Sequence, residues 1–163
     1  MAKPRISIIA AVARSDRAIG RDNALLWDIP EDMRYFRSLT TGHTIIMGKN
    51  TYRSIGHALP KRTNIVLSTD ETLSLDGCII VHSVAEALQR AGEKEPEEIF
   101  IIGGAGIYKQ FLPFAERLYL TLVEGKYEAD TFFPDYREFS KLLSEETVDN
   151  GHHIFTFVVL EKA

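Results

Sequence analysis

Short apolar runs recur along this chain, separated by stretches in which apolar residues return every three or four positions. The first, RISIIAAVA over 5–13, is almost continuously apolar, the pattern of a strand covered on both faces. Comparable runs lie at 43–48 (HTIIMG), 64–68 (NIVLS), 78–82 (CIIVH) and 98–103 (EIFIIG). Between them the spacing predicts helices over 30–40, 49–55, 83–91 and 105–113, the third opening with Ser83 as N-cap and Glu86 three residues later. Buried strands alternating with helices predict an α/β fold: a mostly parallel twisted central sheet with helices on both faces. A further strand is expected over 115–123. The pattern then changes, and 142–149, a turn around Asn150-Gly151, and 154–161 read as a long C-terminal antiparallel hairpin on the sheet. With no repeat, low-complexity segment or linker, residues 1–163 are expected to form a single domain.

Composition narrows the function. The chain is 45% hydrophobic and 26% charged, ordinary for a globular domain with one sizeable core. A net charge of −4 without a dense Lys/Arg cluster argues against a nucleic-acid surface. The single Cys78 excludes an internal disulfide and, preceding Ile79-Ile80-Val81, reads as a packed strand thiol rather than a nucleophile. Met1-Ala2-Lys3-Pro4-Arg5 leads directly into a strand-like run, with no signal-peptide pattern, and no apolar segment approaches the roughly 20 residues of a membrane span. A cytoplasmic protein without a membrane partner is expected. None of the five histidines, His43, His57, His82, His152 and His153, has metal-ligand spacing, so no metal is expected. No G-x-S-x-G or Cys/His pairing offers a nucleophile.

Candidate chemistry begins at Leu25–Phe36. Pro30 suits the first position of a helix, and acids in the first turn complement its positive end. Glu31 needs no more explanation than that. Asp32 does, because helical spacing aligns it with Phe36 and sets it beside Met33, on the face that should point inward. A carboxylate there costs several kcal/mol, roughly, unless something hydrogen-bonds it. The segment alone leaves open a first-turn charge that stays wet.

Three strand ends suggest anion recognition. Ile101-Ile102-Gly103-Gly104-Ala105-Gly106-Ile107-Tyr108 is a strand, a glycine-rich turn and a helix start, which is also how a plain tight turn would look. It is not a dinucleotide fingerprint, since the third glycine would fall at Lys109. Gly48-Lys49-Asn50-Thr51 and Leu67-Ser68-Thr69 supply glycine, ammonium and hydroxyl groups. Together they suggest a crevice for a phosphorylated cofactor at the carboxyl edge of the sheet, where open α/β sheets bind ligands.

These segments assemble into a resemblance. The succession ISIIAAVA, DRAIG, NALLWDIPEDM, IIMGKNTYRSIG, LPKRTNIVLS and IIGGAGIY, followed by DTFFP at 130–134, is similar to that of the bacterial dihydrofolate reductase family over nearly the whole chain. The resemblance implies NADPH as cofactor and reduction of 7,8-dihydrofolate to tetrahydrofolate, with hydride passing to C6 of the pterin and a proton to N5. It also implies dihydrofolate and antifolate inhibitors as ligands, with a monomer as the default.

Residue by residue, the resemblance makes Asp32 the acid that binds the pterin 2-amino group and N3, Thr121 its support, and Trp27 the holder of a water near the pterin. Ile9, Ala10, Met33, Phe36, Ile55, Leu59 and Ile102 would wall the pterin and benzoyl pocket, although apolar side chains suit a core equally well. Arg62 would grip the α-carboxylate of the glutamate tail, a bidentate role that Lys cannot copy. Ala11, Ile19 and Gly20 would touch the nicotinamide. Ile102, Gly103, Gly104, Ala105, Gly106, Ile107 and Tyr108 would follow the diphosphate, with a cis bond between Gly103 and Gly104. Gly48, Lys49, Asn50, Thr51, Leu67, Ser68 and Thr69 would surround the adenosine end, with Lys49, Ser68 and Thr69 on the 2′-phosphate.

The chain departs from many relatives at three points. Lys49 stands where they carry Arg, replacing a bidentate fork with a point charge. Leu26 stands where they have Pro, adding backbone freedom to the loop expected to cover the nicotinamide, and Ser15 is an apparent insertion in that loop. Two other functions fit the pattern less well. A reductase of the same fold acting on another pterin or on a pyrimidine does not call for Asp32, Phe36 and Arg62 together. A binding module without turnover does not call for the set Trp27, Asp32 and Thr121.

Overall fold

The computed structural model describes residues 3–22 and 24–163; Met1 and Ala2, and Asn23 in the third matching motif, lie outside them. The chain runs β1 (Arg5–Ala13), β2 (Ala18–Arg21), β3 (Ala24–Leu25), α1 (Pro30–Thr40), β4 (Thr44–Gly48), α2 (Lys49–Ile55), β5 (Thr63–Leu67), β6 (Cys78–Val81), α3 (Val84–Lys94), β7 (Glu98–Ile101), α4 (Ala105–Phe111), β8 (Arg117–Val123), β9 (Thr131–Phe132), β10 (Lys141–Asp149) and β11 (Ile154–Glu161). Eight strands form one sheet in the order β10-β11-β8-β1-β7-β4-β5-β6. From β8 to β6 all neighbours are parallel, and β11 runs antiparallel to both β8 and β10. This is the expected α/β architecture with its C-terminal hairpin.

Period-two alternation divides the core into two layers. Ile8, Ile46, Ile65, Ile101 and Leu118 pack with Ala87 and Ala91 of α3 and Phe111 of α4. Their chain neighbours Ile9, Ile45, Val66, Phe100 and Tyr119 pack on the other face, with Tyr35, Phe36 and Leu39 of α1 and Tyr52 and Ile55 of α2. The central strands are apolar on both faces because helices cover both.

Helix boundaries follow local chemistry. Ser83 Oγ accepts the Glu86 N–H at 3.0 Å, while the Glu86 carboxylate reaches past the cap to the His82 N–H at 2.8 Å. α3 runs three residues beyond the expected end at 91 and stops at Glu95, the residue before Pro96. The expected helix to 113 instead changes to a 3₁₀ turn over Leu112–Phe114, where Pro113 has no N–H to give. The hairpin loop extends over 150–153, because Asn150 Oδ1 accepts the N–H groups of both His152 and His153. A second sheet, in the order β3-β2-β9, was not expected from the sequence, since strands of two to four residues are too short to show a period.

Candidate active site

Ile29 caps α1 through its backbone, its carbonyl accepting the N–H groups of Asp32 and Met33. With Pro30 at the first position, the next two residues carry acids of opposite fate. Glu31 turns to Asn150, whose amide donates to it at 3.1 Å, and backbone and Asn150 hydrogen bonds hold it below its usual value. Asp32 turns to the sheet, and Thr121 Oγ1 donates to its Oδ1 at 2.6 Å. Burial pushes the Asp32 carboxyl up, and the Thr121 bond offsets part of that rise. Thr121 is buried in β8, in register with Ala11 of β1 and Phe157 of β11. Both residues are half-buried, but the Glu31 carboxyl stays wet while the Asp32 carboxyl is the one drawn out of water.

Ile9, Phe36, Ile55, Leu59 and Ile102 lie in the cluster beneath α1 and α2. Met33 is 47% exposed and belongs to none of the core clusters. Ala10 stands apart, because its side chain packs on the opposite face, in the cluster that also holds Ile19. Only its backbone remains for a ligand on the α1 side. Trp27 packs edge-on against Tyr127, ring centroids 5.1 Å apart, and its indole N–H is buried without an acceptor among the described residues.

The three suspected strand ends meet at one edge. The ladder continues past β7, where Ile102 N–H donates to Ile46 O and Gly48 N–H donates to Gly103 O, each at 2.9 Å. Gly48 pairs with Leu67, and Leu67 with Val81, so 102–104, 48–51 and 67–69 follow one another across the sheet. The Gly103–Gly104 bond is cis. Gly103 has φ +123°, and a Cβ there would lie 3.1 Å from the Tyr108 hydroxyl, while one at Gly48 would lie 3.0 Å from Ile107. Tyr108 is buried, its hydroxyl 2.9 Å from both Ile9 O and Ile102 O. It thereby ties the first turns of α4 to β1. At Gly104 a Cβ would meet nothing nearer than Thr51 Oγ1 at 3.8 Å, and at Gly106 nothing within 4 Å. That open space beside N–H groups and a hydroxyl fits a diphosphate.

Several residues that sequence reasoning passed over complete the site. His82 follows β6, and its ring Nδ1 lies 2.8 Å from Ser68 O. Asp70 is held below its usual value by the Thr72 hydroxyl and N–H, with Lys49 and His82 adding to the effect. Asn64 is the lone polar residue of a buried run, the signal that marks it. Its side chain bonds Leu59 N–H and the carbonyls of Leu59 and Arg62, fixing the loop that carries Arg62. Arg62 itself donates to Pro60 O and Thr40 Oγ1, leaving part of its fork free.

Ile19 and Gly20 sit in β2, whose loop is fastened to the segment before β9. Asp130 N–H donates to Gly20 O and Asp22 N–H to Asp130 Oδ2, both at 3.0 Å, and Arg14 and Arg21 pair with Glu124 and Glu128. Among the described residues no cluster of His, Cys, Asp and Glu has the arrangement of a metal site, and no helix is long and apolar enough to cross a membrane.

Fold and site together define a class: a small α/β protein with a half-buried, desolvated carboxylate on one side of β1 and a glycine-rich crevice at the strand ends on the other. The family model described as dihydrofolate reductase matches residues 5–162. Dihydrofolate reductase of Bacillus subtilis (strain 168) is 41% identical over 161 residues, covering 96% of this chain and 94% of that protein. The Staphylococcus haemolyticus enzyme of the same name is 43% identical over 141 residues, covering 83% of each chain. Dihydrofolate reductase from Enterococcus faecalis, solved in complex with NADP(H) and RAB-propyl, superposes with a TM-score of 0.88 at 28% identity, covering 97% of this chain and 96% of that one. The chain belongs to the dihydrofolate reductase family.

Proposed function

We propose that this chain catalyses the NADPH-dependent reduction of 7,8-dihydrofolate to 5,6,7,8-tetrahydrofolate, supplying one-carbon metabolism. The observation that carries the reading is the Asp32–Thr121 pair: a half-buried carboxylate, its proton affinity raised by desolvation, with one hydroxyl donor. Asp32 Oδ2 is left to accept from the 2-amino group and N3 of the pterin. Its negative charge then favours substrate protonated at N5, the form that accepts hydride at C6. Thr121 orients the carboxylate, and Trp27 offers its buried N–H to a water or to the pterin. Phe36, Met33, Ile55 and Leu59 exclude water around the ring and the benzoyl group, and Arg62 takes the α-carboxylate of the tail.

NADPH, when bound, supplies the hydride. Ala11, Ile19 and Gly20 would border its nicotinamide, Gly103, Gly104, Ala105 and Gly106 its diphosphate, and Lys49, Ser68 and Thr69 its 2′-phosphate. The reading includes one catalytic domain over 1–163 acting as a cytoplasmic monomer, with antifolates as competing ligands. Purified protein should oxidise NADPH only when dihydrofolate is present. Oxidation without dihydrofolate, or none with it, would reject this function.

A further inference from the structure

Trp27 lies between β3 and α1, outside any strand or helix, and Leu26 before it places no proline restraint on the chain. Its indole is therefore oriented by packing. It packs against the buried cluster of Ile29, Val123 and Phe155, and Tyr127 meets it edge to face, ring centroids 5.1 Å apart and planes at 89°. Among the described residues no other aromatic ring pairs with Trp27. Tyr127 is itself held on a short turn. Its hydroxyl donates to Glu124 O at 2.9 Å, Glu124 N–H donates to Ile154 O at 2.9 Å, and Ser15 Oγ donates to Gly125 O at 3.3 Å. Gly125, at φ +110°, lets the ring fold back over the turn, since a Cβ there would lie 3.1 Å from the Tyr127 hydroxyl and 3.4 Å from its ring. The tyrosine is thus fixed to the end of β8 and to β11, and the tryptophan rests on the tyrosine.

The indole N–H is buried and has no acceptor among the described residues. In the function proposed above, on which this inference rests, it is offered to a water or to the pterin. A hydrogen bond weakens steeply as it bends, so the indole serves in one orientation only. The aliphatic part of the cluster fills space around the ring without fixing its tilt. An edge-to-face contact does fix it, because the two rings attract most strongly in a narrow range of angles. We propose that Tyr127 is a positioning residue for the reaction, holding the Trp27 indole at the angle that aims its N–H into the pterin pocket, where a proton is delivered to N5. Tyr127 acts through Trp27. The apparent insertion Ser15 and the proline replacement Leu26 then belong to one arrangement: the Ser15 hydroxyl secures the turn that carries Tyr127, and Tyr127 supplies the restraint that Leu26 lacks.

The test uses the full chain, in which Trp27 is the single tryptophan. Tyr127→Leu keeps apolar bulk and removes the ring. In the folded variant, checked for an unchanged circular dichroism spectrum, Trp27 fluorescence should lose anisotropy and become more open to quenching by acrylamide. The single-turnover hydride-transfer rate at pH 7 should fall roughly three- to tenfold, the worth of one aromatic pair, with KM for NADPH changed by less than about twofold. The deficit should close in acid, where solvent protonates N5 before binding. Tyr127→Phe keeps the ring and should retain most of the wild-type rate. Gly125→Ala keeps the tyrosine but crowds it, and should reproduce the loss; it carries the same comparison if Tyr127→Leu does not fold. A wild-type rate or unchanged fluorescence in folded Tyr127→Leu would overturn the inference while leaving the reductase reading intact. So would a deficit equal at every pH, or a rise in KM for NADPH as large as the loss of rate. A wild type that does not reduce dihydrofolate would overturn the two together.

Discussion

Thr121 and Asp32, 89 residues apart in sequence, meet in a 2.6 Å hydrogen bond between the middle of β8 and the first turn of α1. Burial disfavours the charged carboxylate, and the hydroxyl donor favours it. The acid is therefore balanced between two opposing effects, and the hydroxyl sets where the balance lies.

Thr121→Val keeps the volume and removes the donor. Hydrogen bonds to charged groups are worth about 1.5–3 kcal/mol, so kcat/KM for dihydrofolate should fall roughly ten- to a hundredfold at neutral pH. The carboxyl of the variant should rise further above its usual value, moving the alkaline fall of the hydride-transfer rate to higher pH. A pH profile displaced to lower pH, or not displaced, would contradict the orienting role of Thr121.

Lys49→Ala should raise KM for NADPH and leave NADH nearly unchanged, because only NADPH carries the 2′-phosphate. Asp70 lies near enough for its charge and that of Lys49 to be felt by each other, so the native preference should be modest, and it should shrink as salt screens Lys49 from the 2′-phosphate. Steady-state kinetics with both cofactors at two salt concentrations decide the matter. A parallel loss with NADH would make Lys49 structural.

Asp130 fastens the loop carrying Ile19 and Gly20 by accepting the Asp22 N–H. Its carboxyl lies below the usual carboxylate value because of the Asp22 N–H first and the Thr131 hydroxyl second. For such a group the stabilising contribution is fully present above the unfolded value, near 3.8, and is lost only as pH falls through the depressed folded value. The fastening should hold throughout the neutral range. In Asp130→Ala the Asp22 amide should exchange its hydrogen roughly two- to tenfold faster, with KM for NADPH rising by a similar factor. Unchanged exchange would show that the Asp130 N–H to Gly20 O bond suffices.

Nearly continuous apolar runs such as 5–13 and 99–102 identify central strands directly, because helices on both faces remove the usual alternation. The inward Asp32 was legible from its spacing with Phe36, and the three strand ends from their glycines and hydroxyls. Their contiguity was not, since it depends on the strand order β1-β7-β4-β5-β6, which no local pattern encodes. The same holds for His82, whose place beside Ser68 follows from the pairing of Leu67 with Val81. Ala10 shows the converse. Its position in the motif suggests a pocket wall, but strand alternation turns its side chain to the other layer.

Asp32→Asn separates the two demands on the acid. For a carboxyl whose folded value is raised, the contribution to stability is fully present at low pH and is lost as pH rises through the folded value. At neutral pH wild type carries a buried charge that folding disfavours, and the neutral amide removes it. The variant should therefore melt higher than wild type at pH 7, at about 2–4 °C per kcal/mol for a chain of this size. The difference should shrink as pH falls and the wild-type carboxyl protonates. Hydride transfer should move the other way. Single-turnover rates at pH 7 should drop by orders of magnitude, because the charge that favours N5-protonated substrate is gone, and recover in acid, where solvent protonates N5 before binding. A variant that is more stable yet slow identifies Asp32 as a residue kept for chemistry at the expense of folding. A variant that transfers hydride at the wild-type rate at neutral pH would reduce Asp32 to a charge in the first turn of a helix.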